Sequence, residues 1–451
     1  MSFPRYSECK PSGIEWLGLV PETWSIKRLR FAAQINPSKS EIARVPRDTV
    51  VSFLPMEAIS DDGALDLERT RRIGEVETGY TYFREGDVTV AKITPCFENG
   101  KGAVMRELVG GIGFGTTELT VARPRQGQTS ATYLHWLFNS ALFRSLGEAS
   151  MYGAGGQKRV PDDFFRDFAI SFPPLDEQTI IVAFLNRETA KIDALVAEQE
   201  KLISLLKEKR QALISHAVTK GLDPNVPMKD SGIEWLGQVP AHWTVTPLKW
   251  LVDPSRPIMY GIVLPGPDVG EGIPVLKGGN VKPARMRLDE MARTTPEIEA
   301  PYARARLKAG DLVYSIRGSI GDCEIVPKEL EGSNITQDVA RVAVAEGVIA
   351  MWVRWALLSA PVREELASGS LGAAVRGVNI FDLKRADLPT PPVGEQRQIG
   401  RFLDNETSKI DRLMHEAERA TDLLAERRRA LISAAVTGKV DVRGLFPTTD
   451  Q

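Results

Sequence analysis

The sequence predicts an α/β (α+β) chain: two mixed α/β domains joined by two long antiparallel helices that form a coiled coil, with a pseudo-two-fold internal duplication. Three observations predict it. First, the heptapeptide SGIEWLG stands at 12–18 and again at 231–237, and each copy leads into Val-Pro-x-x-Trp (Val20, Pro21 and Trp24; Val239, Pro240 and Trp243). Second, residues 173–219 and 391–437 share 26 of 47 positions, more than two unrelated helices share by chance. Third, the segments between these blocks, 34–155 and 253–373, share little. The chain therefore runs variable, constant, variable, constant, with a lead-in motif ahead of each variable block. The expected division is a first mixed domain at 1–172, a long helix at 173–221, a second mixed domain at 222–390, a second long helix at 391–440 and a tail at 441–451.

The constant blocks read as helices. No Gly or Pro occurs from Leu175 to Lys220; Pro173-Pro174 precedes this stretch and Gly221 follows it, which are start and stop signals. Asp176 and Glu177 fall where the helix dipole favours acid. Ile192, Leu195, Leu202, Leu206 and Leu213 keep a 3–4 spacing, and Leu403, Ile410, Leu413, Ala420, Leu424 and Leu431 occupy the matching places in the second copy. This is a narrow apolar seam of the coiled-coil kind. At ~1.5 Å per residue each helix is about 65 Å long and needs a partner along its seam. The two copies are the obvious partners. Because one carries the chain out and the other carries it back, they are expected to pair antiparallel.

The variable blocks read as short strands broken by Gly and Pro. Gly86-Asp87 and Gly310-Asp311 each open a strand, which delivers Lys92 in one half and Arg317 in the other. A curved, largely antiparallel sheet is expected in each block. Basic residues gather there. Lys92, Lys101, Gln157, Lys158 and Arg159 in the first, and Arg285, Arg287, Arg317 and Arg376 in the second, are candidate DNA contacts. Lys and Arg on phosphates supply affinity, and Arg or Gln on base edges supplies sequence. The stretch Tyr152 to Val160, with Gln157-Lys158-Arg159 after three glycines, combines both donor types; a flexible surface turn is the plainer reading. The lead-in tryptophans Trp16, Trp24, Trp235 and Trp243 could stack on bases. They recur identically in both halves, though, and residues that read two different sequences should differ. We therefore read them as scaffold.

Bulk properties narrow the class. With 43% hydrophobic and 26% charged residues the chain is an ordinary globular protein, and no apolar run approaches the ~18 residues of a membrane span. The start lacks the apolar core of a secretion signal. Cys9, Cys96 and Cys323 are too scattered for a disulfide framework, and the four histidines stand apart, so no metal site is expected. The expected setting is the reducing cytoplasm. The net charge of −2 gives no sign of a basic nucleic-acid-binding domain and leaves open a duplicated, non-catalytic interaction scaffold.

Several motifs carry a family resemblance. SGIEWLGxVPxxW, the run GDVTVAKITPCFENGKGA at 86–103, Thr116-Thr117-Glu118-Leu119, GGQKRVP at 155–161 and Pro-Pro-x-x-Glu-Gln at the helix start resemble those of type I restriction–modification specificity subunits. The resemblance spans essentially the whole chain, although the second variable block lacks the ITPCFEN run. It implies a subunit without catalytic activity or cofactor of its own. Such a subunit binds double-stranded DNA through two target-recognition domains, with the helices setting the gap between half-sites. It also binds two modification subunits, which carry S-adenosylmethionine, and restriction subunits, which use ATP and Mg²⁺. Service in another methylation-based phage-defence system would look the same. The residues agree with the division of labour: the sequence has no Asp/Asn-Pro-Pro-Tyr/Phe methylation motif and no GxxxxGK[ST] loop, and Gly-Ile-Gly-Phe-Gly at 111–115 is too weak to be a cofactor loop.

Overall fold

The computed structural model describes residues 3–154, 156–368 and 377–445. The chain forms two compact units. Unit 1 holds Met1–Gln199 with Arg419–Gln451, and unit 2 holds Glu200–Glu418. Each unit thus takes a section of both long helices, Leu175–Lys220 and Val393–Val436, and the C-terminal tail belongs with the first mixed domain.

Unit 1 carries two four-stranded sheets. In the first the order is Thr70–Arg72, Val50–Leu54, Ile112–Gly115, Thr81–Arg84, with Val50–Leu54 and Ile112–Gly115 parallel and the other pairs antiparallel. The second, Ala33–Ile35, Leu119–Pro124, Val88–Ala91, Gly102–Val104, is antiparallel throughout. Unit 2 has a four-stranded antiparallel sheet (Met259–Tyr260, Val339–Val342, Leu312–Ser315, Cys323–Ile325). It also has a three-stranded one, Ala292–Thr294, Ile273–Leu276, Asn334–Ile335, again with one parallel pair. The single curved sheet expected per block is therefore two sheets. The cause is a corner. Thr116-Thr117-Glu118 in unit 1 and Thr336-Gln337-Asp338 in unit 2 break one run into two strands that join different sheets.

The shared Gly-Asp pairs open the central strands Val88–Ala91 and Leu312–Ser315, buried at all four positions. Their aspartates hold the frame. Asp87 takes two hydrogen bonds from Arg123 at 2.6 and 2.8 Å, and Asp311 takes two from Arg256 at 2.6 and 2.7 Å. Burial works against the charge of Arg123, but the hydrogen-bonded carboxylates of Asp87 and Glu41 outweigh it and hold the guanidinium firmly protonated. Arginine comes from a strand in one unit and from a loop in the other, so only the aspartate is legible as a repeat.

The lead-in motif is scaffold, as its identity in both halves implied. The indole of Trp24 donates to Glu177 at 3.0 Å, and that of Trp243 donates to Glu395 at 2.9 Å; both tryptophans are fully buried. Each ring also meets the far end of the other long helix. A Cβ on Gly438 would lie 2.4 Å from Pro21 and 3.3 Å from Trp24, and one on Gly221 would lie 3.2 Å from Trp243. Both glycines have positive φ, which stops the helix, and both must be small for the contact. In each unit one tryptophan therefore ties the start of one helix to the end of the other. The next residue repeats the theme: the side-chain amides of Gln178 and Gln396 donate to Pro173 and Pro391 and accept from the backbone N–H groups of Ser130 and Ile349.

The helices pair antiparallel within each unit. In unit 1, Arg428 meets Asp193 at 2.8 Å, and Ile181, Leu185, Leu431 and Val436 share one core. In unit 2, Arg210 meets Asp411 at 2.8 Å, and Ile214, Val218, Ile399 and Leu403 share another. The seam needs a correction. Ile192, Leu206, Ile410 and Leu431 are buried, and Leu213 and Leu424 are partly so. Leu195, Leu202 and Leu413 are 46%, 43% and 50% exposed. The covered line runs instead through Ile192, Val196, Gln199, Ile203, Leu206, Arg210 and Leu213, and through Leu403, Thr407, Ile410, Met414, Ala417 and Thr421. The step after Ile192 is four residues, not three. At Leu195, Leu202 and Leu413 leucine drew the sequence reading one position off, because the structure covers the neighbouring Val196, Ile203 and Met414 and leaves those three leucines outside.

Candidate nucleic-acid interface

In unit 1 the surface is assembled around the end of the strand Val88–Ala91. Lys92 N–H donates to Glu118 O at 2.8 Å, Val160 N–H donates to Lys92 O at 2.8 Å, and Thr94 N–H donates to Lys158 O at 3.0 Å. Ile93 and Arg159 form an antiparallel bridge. This backbone ladder fastens the Gly-rich loop to the sheet corner and displays Gln157 and Lys158 in solvent. Gly153 is required there: a Cβ would lie 2.8 Å from Gln157 O, at φ +127°. Gly155 lies outside the described residues.

The cations differ in how free they are. Arg159 grips Glu118 through three hydrogen bonds of 2.7 to 3.2 Å, and this pairing raises its pKa further. Lys92 stands 3.8 Å from Asp162 and is largely covered. Lys101 is half-buried and donates to Met56 O at 3.2 Å. Lys158 is exposed without an ion-pair partner among the described residues. Of the sequence candidates, Lys92, Gln157, Lys158 and Arg159 are thus brought together, while Lys101 supports the neighbouring loop.

In unit 2 the same corner is built differently. Val378 N–H donates to Ile316 O at 2.9 Å, so Gly377 stands where unit 1 has Arg159, and Arg317 stands where unit 1 has Ile93. A Cβ on Gly377 would lie 3.1 Å from Ile316 O and 3.3 Å from Arg317 Cγ, so the arginine side chain passes close over the glycine. Arg317 is exposed and free of ion pairs among the described residues. It borders a cavity of about 330 Å³ that Tyr260, Gln337 and Asn379 also line. Arg285 is exposed, and Arg287 is exposed but engaged by Asp289 at 2.9 Å. Arg376 lies outside the described residues. Sequence reasoning missed Gln337; aligning Thr116-Thr117-Glu118-Leu119 on Thr336-Gln337-Asp338-Val339 would have found it.

Among the described residues no helix is long and apolar enough to cross a membrane, and no group of His, Cys, Asp and Glu could hold a metal ion. Residues 64–204 match the family described as the type I restriction modification DNA specificity domain. This part of the chain belongs to the type I specificity family. Over 188 residues, 41% of the chain, it is 44% identical to the type I restriction enzyme EcoEI specificity subunit and 43% identical to the EcoAI specificity subunit, both of Escherichia coli. The match spans 31% of the length of each of those relatives. Likeness over nearly the whole chain is lower: 23% identity to the putative type I restriction enzyme MjaX specificity subunit of Methanocaldococcus jannaschii, covering 95% of this chain and 96% of that one. Two solved structures share the fold. One is a chain from work on the structural basis of complex assembly and conformational transition of the type I R-M system (18% identical, 93% and 99% covered, TM-score 0.75). The other is the HsdS subunit from Thermoanaerobacter tengcongensis (18% identical, 93% and 98% covered, TM-score 0.54).

Proposed function

We propose that this chain is the non-catalytic DNA-specificity subunit of a type I restriction–modification complex. Each unit reads one half of an asymmetric, bipartite double-stranded target. One observation carries the reading: two units share a frame down to the Trp–Glu and Gly-Asp contacts yet present different polar groups at the same sheet corner, Arg159–Glu118 in one and Arg317 with Gln337 in the other. A duplicated scaffold binding one partner twice would keep that corner alike. The complex includes two modification subunits, with S-adenosylmethionine, and restriction subunits, with ATP and Mg²⁺. The exposed leucines Leu195, Leu202, Leu205, Leu413 and Leu423 on the long helices give helical segments of those partners apolar surface to cover.

Methylome sequencing of cells expressing this chain with its modification partner tests the reading. The expected product is adenine methylation at a split, non-palindromic motif. A continuous or perfectly palindromic motif would overturn it, as would cleavage or methyl transfer by the purified chain alone with DNA, Mg²⁺, ATP and S-adenosylmethionine.

A further inference from the structure

The corner of unit 2 holds more than a free cation. Gln337 sits at the sheet-switching turn, its backbone N–H bound to Ile262 O at 3.0 Å, and its side-chain amide has no hydrogen-bond partner among the described residues. Arg317 is held just as firmly through its backbone: its N–H donates to Asp338 O at 3.3 Å and its carbonyl accepts from Ser315 Oγ at 3.0 Å. Both side chains border the same cavity of about 330 Å³. Asn379, at its rim, spends its carbonyl oxygen capping the helix Ile380–Arg385. An arginine without a carboxylate and a glutamine without a partner, fixed on rigid backbone beside one concavity, are unspent hydrogen-bonding capacity.

Their chemistry names the ligand. An arginine offers two parallel N–H donors that fit O6 and N7 of guanine, and a glutamine offers one donor and one acceptor that fit N7 and N6 of adenine. We infer, resting on the function proposed above, that Arg317 and Gln337 form a base-reading pair that gives the half-site of unit 2 adjacent purine preferences, guanine opposite Arg317 and adenine opposite Gln337. Unit 1 cannot make the same reading. The matching residues are Ile93 and Thr117, and its corner arginine is bound to Glu118.

Selection from a pool of duplex DNA of randomised sequence by the full chain, read by sequencing, tests this. The Gln337→Leu variant should lose discrimination at one base pair by about tenfold to a hundredfold and leave the other half-site unchanged. Gln337→Glu should move that position toward cytosine, whose N4 donates to a carboxylate, and Arg317→Gln should move its position from guanine toward adenine. These gained preferences cannot arise from a variant that merely misfolds. An unchanged motif in all three variants overturns the inference. So does a uniform loss across all sequences with the salt dependence reduced by about one ion, which would make Arg317 a phosphate contact. If the unaltered chain selects no motif, the proposed function falls first.

Discussion

The contact between Trp24 and Glu177 makes a quantitative claim about where the long helices are anchored. Trp24→Phe keeps most of the buried ring and removes one N–H. Glu177 is itself buried, so the lost donor is not replaced by water, and among the described residues the Tyr6 hydroxyl at 2.5 Å is the donor that remains on that carboxylate. A hydrogen bond to a charged group contributes about 1.5–3 kcal/mol, so local opening of the helix start should become about 2 kcal/mol easier, roughly thirtyfold in population. The corresponding change in unit 2, Trp243→Phe, should do less. Glu395 is partly exposed and keeps His242 at 2.7 Å, so water and the imidazole fill the vacancy and the cost stays below about 1 kcal/mol. Hydrogen–deuterium exchange resolves the two sites in one experiment. Trp24→Phe should accelerate exchange in the first turns of Leu175–Lys220, and Trp243→Phe should accelerate the first turns of Val393–Val436 several-fold less. Equal acceleration at the two helix starts, or none at the first, would refute the argument that burial of the acceptor sets the cost.

Three further outcomes are expected. Arg123→Met leaves Asp87 buried without its cation and should destabilise unit 1 by about 3–5 kcal/mol in chemical denaturation. Burial, with Arg144 and Arg106 nearby, lowers the pKa of His135 to about 4, against about 6.5 in the unfolded chain. The unfolded state therefore takes up the proton first, and stability that is complete above pH 6.5 should fall by about 3 kcal/mol as the pH drops from about 6.5 to about 4. His135→Gln should flatten that part of the thermal-stability profile of unit 1. Along the helix pair, Ile203→Ala should cost about 1–2 kcal/mol and Leu202→Ala less than about 0.5 kcal/mol by thermal denaturation, the reverse of what leucine spacing alone predicts.

What the sequence revealed follows from what duplication preserves. The helix bounds Leu175–Lys220 were legible because Pro-Pro, acid and Gly mark them, and the opening of both central strands was legible because Gly-Asp repeats there. The scaffold role of Trp24 and Trp243 was legible from their identity in both halves, although Glu177 and Glu395 as their acceptors were not, since more than 150 residues separate each pair. The seam was half legible. Ile192 and Leu206 stood out, but Val196, Ile203 and Met414 were hidden by brighter leucines next to them that face solvent. At the candidate interface, residue type announced the cations but not their partners. Nothing in Lys158-Arg159 says that one is free and the other held by Glu118, because that depends on a sheet corner 41 residues upstream.

The corner also shows how one frame can present two different surfaces. The bridge that fastens the loop strand to the central strand needs only backbone, so the side chains across it are free to trade places. Ile93 opposite Arg159 in unit 1 becomes Arg317 opposite Gly377 in unit 2, and the arginine changes strand without disturbing the hydrogen bonds from Val160 or Val378 that hold the ladder. The trade has one steric condition. The residue facing Arg317 is a glycine, whose Cβ would lie 3.1 Å from Ile316 O and 3.3 Å from Arg317 Cγ, so a larger residue there would make the arginine shift. The frame is thus constrained by contacts that must recur, the Trp–Glu ties and the Gly-Asp turns, whereas the side chains at this corner differ between the units.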